Sequence, residues 1–188
     1  MQVELEHQPA ALATTVAVLC GGRGTRLGHA DRSVPKPLVE VGGVPILWHV
    51  VSIYAAQGYA DFVLLCGWRR ELIEEFCSQT EWPSGVTVRC VDTGEDTPTG
   101  GRVHLARAEL SGGPFSLTYA DGVADIDLAR LNATHSASGL GATITVVRPE
   151  LQFGLVELGS ADRAVSFVEK PRSEGWVNGG FMRCEQEI

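Results

Sequence analysis

Short β-branched apolar runs that alternate with amphipathic segments constrain this chain more than any other feature. TTVAVLC (14–20) is continuous and apolar, the pattern of a strand covered on both faces. VPILWHVVSIYAAQG (44–58) carries apolar residues at helical spacing and stops at Gly58, a suitable C-cap. The alternation continues through a strand at DFVLLCG (61–67), a helix at RRELIEEFCSQT (69–80) and a strand at VTVRCVD (86–92). A helix at GRVHLARAEL (101–110), a strand at PFSLTYAD (114–121), a helix at DLARLNATHSASG (127–139) and a strand at ATITVVR (142–148) follow. The remaining segments FGLVELG, AVSFVEK and WVNGGFMRC are strand-like and short of helices. Strand followed by helix, repeated, predicts an α/β fold with a mostly parallel mixed sheet and ligands at the carboxyl ends of its strands. Residues 1–13 read as a loose leader and 14–188 as one domain.

Composition narrows the partners. The net charge of −8 argues against non-specific binding to nucleic acid or to a membrane surface, so an anionic ligand would have to be held by local cations. No window approaches a transmembrane span and no signal-peptide core precedes the first strand, which predicts a cytoplasmic protein. Cys20, Cys66, Cys77, Cys90 and Cys184 are odd in number, lack CxxC spacing and mostly sit in apolar runs. Buried reduced thiols fit that pattern better than a disulfide framework or a zinc site.

The first strand runs straight into LCGGRGTRLGHADRSVPKP (19–37). Gly21, Gly22 and Gly24 let backbone N–H groups approach phosphate oxygens closely. A dinucleotide fingerprint does not fit, because the third glycine arrives one position late and Pro35 and Pro37 preclude a continuous helix, although Glu40 lies near the distance of a ribose-binding acid. A P-loop fails too, for no Gly-Lys-Ser/Thr follows. On the glycines alone a tight strand-to-helix turn remains open. The cations shift the balance: Arg23, Arg26 and Lys36 crowd into a short stretch of an acidic protein, and the prolines on either side of Lys36 reduce the entropy cost of aiming its amine. Such groups over a triphosphate would stabilise the charge that develops as a phosphoryl bond breaks.

GGRGTRL (21–27) followed by PKP (35–37) resembles the signature of the sugar-1-phosphate nucleotidyltransferases. PILWH (45–49), VDTGEDTPTGGR (91–102), TYADGVADID (118–127), FVEKP (167–171) and VNGGF (177–181) are similar to the glucose-1-phosphate cytidylyltransferase branch of that family. The resemblance implies a Rossmann-like nucleotidyltransferase domain that transfers a nucleotidyl group from a nucleoside triphosphate, CTP for this branch, to a sugar-1-phosphate such as glucose-1-phosphate. It further implies Arg26 and Lys36 as catalytic residues. Gly21, Gly22, Gly24 and Thr25 would form the nucleotide loop, and Asp121 would bind Mg2+. Gly154, Glu169, Lys170 and Asn178 would hold the sugar phosphate. A second magnesium-binding aspartate of the family lies in sequence that this chain does not contain, so the domain is expected to be incomplete at its C-terminal end.

The residues themselves agree in part. Asp121 ends an apolar strand, where its carboxylate projects from the sheet's carboxyl edge, though an Asx-turn or N-cap is the competing use. Magnesium prefers one or two carboxylates with phosphate oxygens and water, so no cluster is needed. Asp125 and Asp127 read as caps or first-turn acids of the next helix. Thr99 and Gly100 precede a helical run and could meet a base or phosphate, or simply cap the helix. Glu169 and Lys170 could pair in solvent instead of binding sugar. Trp48 and His49 read as packing residues, and His29 is the one histidine near the loop. A UTP- or dTTP-specific enzyme, a non-catalytic nucleotide-sugar binding module, an inactive fragment and a homo-oligomer all stay open.

Overall fold

The structure, a computed structural model, describes residues 12–23 and 34–187. Most of the leader therefore lies outside the described residues, and the first strand, β1 (Leu12–Leu19), begins two residues before the sequence predicts. β2 (Glu40–Val41) and β3 (Val44–Pro45) form a small antiparallel hairpin, followed by α1 (Ile46–Ala55), β4 (Tyr59–Cys66), α2 (Arg70–Gln79), β5 (Thr87–Asp92), α3 (Thr99–Leu105), β6 (Phe115–Tyr119) and α4 (Leu128–Ser138). β7 (Ala142–Val147), β8 (Leu155–Leu158), β9 (Ala164–Val168) and β10 (Val177–Cys184) complete the order.

Contacts divide the chain into two compact units, one ending at Thr143 and resuming at Phe181, the other spanning Ile144–Gly180. In the first, β4 pairs in parallel with both β1 and β5, and β1 pairs in parallel with β6. Phe181–Cys184 of β10 run antiparallel to β6, which makes the sheet mixed as expected. Alternate residues of the strands feed two apolar layers. Val16, Val18, Phe62, Leu64 and Cys66 pack with Leu47, Val50 and Tyr54 of α1, Ile73 of α2 and Leu128 of α4. Ala17, Val63, Leu65 and Leu117 face the other way, onto Ala106 and Leu110 beyond α3. Covering both faces is what lets residues 16–19 of β1 and 62–66 of β4 be apolar at every position.

Local chemistry explains several ends. Asp127 caps α4 by accepting the Arg130 N–H at 2.8 Å, and Gly139 closes the helix in the left-handed region at φ 63°. Two helices differ from expectation. α1 starts at Ile46 because Val44 and Pro45 are drawn into the hairpin, and it ends at Ala55, with Gly58 at φ 90° in the turn that follows. α3 starts at Thr99 behind Pro98 and stops at Leu105, so Thr99, Gly100 and Gly101 lie inside its first turns, not ahead of it, and Thr99 is not its cap.

The second unit is built around the β8–β9 hairpin, with an antiparallel bridge between Glu150 and Arg172. Arg148 donates to the Ser173 carbonyl at 2.8 Å and lies over the Trp176 ring.

Candidate active site

The strand order β5-β4-β1-β6 places the reversal of connection beside β1: the chain moves outward from β1 to β5, then returns to β6 on the other side. A crevice at the carboxyl ends of the strands is the geometric consequence. A cavity of about 450 Å³ lies there, bordered by Leu19–Arg23 after β1, Glu95–Thr99 and Arg102 after β5, Tyr119–Asp121 after β6, and Lys36 and Pro37.

Lys36 is fixed as the prolines predict. Lys36–Leu38 form a 3-10 turn in which the Leu38 N–H donates to the Pro35 carbonyl at 2.9 Å, Pro37 is buried, and Leu38 packs against the core. The ammonium of Lys36 ion-pairs with the carboxylate of Asp121, both side chains being partly exposed to the cavity. Asp121 stands two residues past the end of β6, in a segment held to the sheet by the Ala120 N–H, which donates to the Leu19 carbonyl. Arg23 bonds to Glu95 at 2.8 Å and Asp96 at 3.1 Å. That cross-loop pair is exposed and contributes roughly 0–1 kcal/mol.

Arg102 carries a role that the sequence reading did not assign to it. Only 5% exposed, its guanidinium donates to the carbonyls of Cys66 (3.1 Å), Gly94 (2.7 Å), Gly21 (3.0 Å) and Glu95 (3.0 Å) and to the Thr93 hydroxyl (2.7 Å). Burial lowers its pKa, but a guanidinium starts so high that it stays charged. Burial also pushes the adjacent Cys20 thiol up, helped by the nearby Cys90 and Asp121, so Cys20 is a packing residue.

Of the candidate site residues and loop cations singled out in the sequence, Gly21, Gly22, Arg23, Lys36, Thr99 and Asp121 thus border one cavity. Gly100 follows on α3 and is exposed, with nothing within 4 Å of the position its Cβ would take. Gly24, Thr25, Arg26 and His29 lie outside the described residues. Gly154, Glu169, Lys170 and Asn178 belong to the second unit. There a Cβ on Gly154 would sit 3.1 Å from the Glu169 carboxylate, and Asn178 Oδ1 accepts the Gly180 N–H at 2.8 Å. Lys170 holds φ 43°, an outlier for a non-glycine residue that precedes a proline.

Asp121 would be the residue to hold a magnesium ion that arrives with its own phosphate oxygens. Asp121 borders the cavity from the β6 side and Glu95 and Asp96 from the β5 side, and among the described residues no group of three or more His, Cys, Asp or Glu is arranged to hold a metal unaided.

The nucleotidyl transferase family matches residues 15–182, and the chain belongs to it. It is 37% identical to the probable glucose-1-phosphate cytidylyltransferase of Bacillus subtilis (strain 168), covering 91% of this chain and 74% of that protein. It is 38% identical to the glucose-1-phosphate cytidylyltransferase of Salmonella typhi, covering 88% of this chain and 72% of the relative. Among solved structures, HddC from Yersinia pseudotuberculosis in complex with GMP-PN shares the fold at a TM-score of 0.69 and 22% identity, over 93% of this chain and 77% of that one. No helix among the described residues is long and apolar enough to cross a membrane.

Proposed function

We propose that this chain is a cytoplasmic sugar-1-phosphate nucleotidyltransferase, with CTP and glucose-1-phosphate as its substrates. The observation that carries the reading is the Lys36–Asp121 ion pair on the wall of a glycine-lined cavity at the carboxyl ends of β1 and β6. Lys36 would exchange its carboxylate partner for phosphate oxygens, and Asp121 would then be the residue to hold a magnesium ion, so neither charge would be left uncompensated. Bound there, magnesium would neutralise phosphate charge and orient the chain of phosphates.

An oxygen of the sugar-1-phosphate attacks the α-phosphorus. The bond from that phosphorus to the bridging oxygen of the β-phosphate breaks, and its electron pair leaves with pyrophosphate. Lys36, with Arg26 in the role the family resemblance gives it, stabilises the charge that builds up on the phosphoryl oxygens. The N–H groups of Gly21 and Gly22, with Gly24 and Thr25, cradle the phosphates, while Thr99 and Gly100 contact the nucleotide. Gly154, Glu169, Lys170 and Asn178 hold the sugar phosphate. The strained backbone of Lys170, which costs about 1–3 kcal/mol, supports a functional constraint on that residue. The choice of CTP rests on the names of the relatives at 37% and 38% identity.

Magnesium-dependent pyrophosphate release, measured with each nucleoside triphosphate against glucose-1-phosphate, tests the reading. Turnover restricted to CTP is the expected result. Lys36→Ala and Asp121→Asn should each lower the rate by ~10²–10³ while circular dichroism stays native. Near-normal rates in both variants would sink the site. Nucleotide binding without release would favour a binding module over an enzyme.

A further inference from the structure

Arg102 places a buried positive charge directly beneath the loops that line the cavity, yet every hydrogen bond it makes to the described residues goes to a neutral acceptor. Among the described residues no carboxylate forms an ion pair with it. Burying a charge in this way is costly unless all its donors are used. The acceptors come from three separate chain segments. Gly21 follows β1, Cys66 ends β4, and Thr93, Gly94 and Glu95 follow β5, so one planar fork joins the carboxyl ends of three adjacent parallel strands.

The glycines around it are shaped to the guanidinium. A Cβ on Gly21 would fall 2.0 Å from Arg102 Nη1, and a Cβ on Gly67 would fall 2.4 Å from the same atom. Neither glycine needs the left-handed region, so what excludes a side chain is the arginine at Gly21, and the arginine together with the Gly94 carbonyl at Gly67, not the backbone conformation. Gly22, by contrast, has nothing within 4 Å of its would-be Cβ. Within one loop, the first glycine makes room for the fork below and the second leaves the loop open.

We infer that Arg102 is a positioning residue for nucleotide binding: it fixes the spacing between the Gly21–Arg23 loop and the Thr93–Glu95 loop, so that both walls are set before a triphosphate enters. The inference rests on the nucleotide reading above. It gives Gly21 a second duty, as the carbonyl and the clearance that Arg102 requires. A lysine cannot replace the fork, since an ammonium offers three donors in place of five and none in a plane.

The test is calorimetric binding of CTP, with magnesium, to the full chain and to Arg102→Gln, Arg102→Lys, Gly21→Ala and the Arg102→Gln/Gly21→Ala double variant. Thermal unfolding of each variant confirms that it is folded. Arg102→Gln should weaken CTP roughly tenfold or more, and Arg102→Lys should recover only part of the loss. Gly21→Ala displaces the fork without removing the charge, so it should weaken binding comparably even if Arg102→Gln folds poorly. Because both act through one contact, the double variant should bind within about twofold of Arg102→Gln.

Binding by Arg102→Gln within about twofold of the parent overturns the inference, as do losses that multiply in the double variant. Should the parent chain bind none of the four common nucleoside triphosphates, the nucleotide reading itself fails. Amide exchange then still decides whether Arg102 ties the loops. In Arg102→Gln, exchange should rise together at residues 21–23, 66–68 and 93–95, whereas a rise confined to α3 would refute the tie.

Discussion

The parallel strands of the first unit and the β8–β9 hairpin of the second use the same residue types to opposite effect. Phe62, Val63, Leu64 and Leu65 of β4 are fully buried, because α1 and α2 cover one face and the segment around α3 the other. In the hairpin, Leu155 is 55% exposed and Phe167 65%. No helix of eight or more residues lies within that unit. A run of apolar residues therefore specifies a strand in both places, but its contribution to stability is set by what lies across from it.

The sharpest way to break that comparison is to truncate one aromatic in each region. Phe62→Ala should cost ~3–5 kcal/mol, through lost burial and a cavity beside Tyr54. Phe167→Ala should change stability by less than ~0.5 kcal/mol. Denaturant unfolding of the two variants reads both, and equal losses would mean that the hairpin is buried in solution.

A smaller effect separates two glycines with similar close approaches. A Cβ on Gly67 would press on the Arg102 fork and, at 2.6 Å, on the Gly94 carbonyl, whereas one on Gly154 would meet the Phe167 ring edge at 2.4 Å. The arginine is pinned by five hydrogen bonds and the carbonyl by its backbone, but the exposed phenyl ring can turn aside. Gly67→Ala should cost ~1–3 kcal/mol and Gly154→Ala under ~1 kcal/mol in the same unfolding experiment.

The smallest effect concerns the helical cover itself. Asp127→Ala removes the side-chain cap of α4 and should cost about 1 kcal/mol, with faster amide exchange in the first turn of that helix. A loss much above that would show that Asp127 does more than cap.

How much of the fold was legible depends on the range of the interaction that fixes each element. Asp127 and Gly139 bound α4 where the sequence predicts, since a cap and a left-handed closing residue act within their own turn. The start of α1 was misplaced because Val44 and Pro45 pair with Val41 and Glu40, which helical periodicity does not register. α3 was misplaced at both ends. TGG is a poor helical opening by propensity, yet Arg102 anchors that turn to partners as far away as Gly21, 81 positions earlier.

The same division runs through the candidate site. Glycines after a buried strand, a lysine between prolines and an aspartate after an apolar strand stand out through backbone freedom, rigidity and strand-end placement, all properties of a few consecutive residues. By itself the sequence therefore determined the α/β alternation, the glycine-rich turn after the first strand and the place of Asp121 at the carboxyl end of a later one. Only the tertiary structure decided that Lys36 pairs with Asp121, that Arg23 reaches Glu95 and Asp96, and that Arg102 lies buried under Gly21. Each of those contacts joins segments that share no local pattern, and the parallel sheet brings them together by aligning the ends of strands that are distant in the chain.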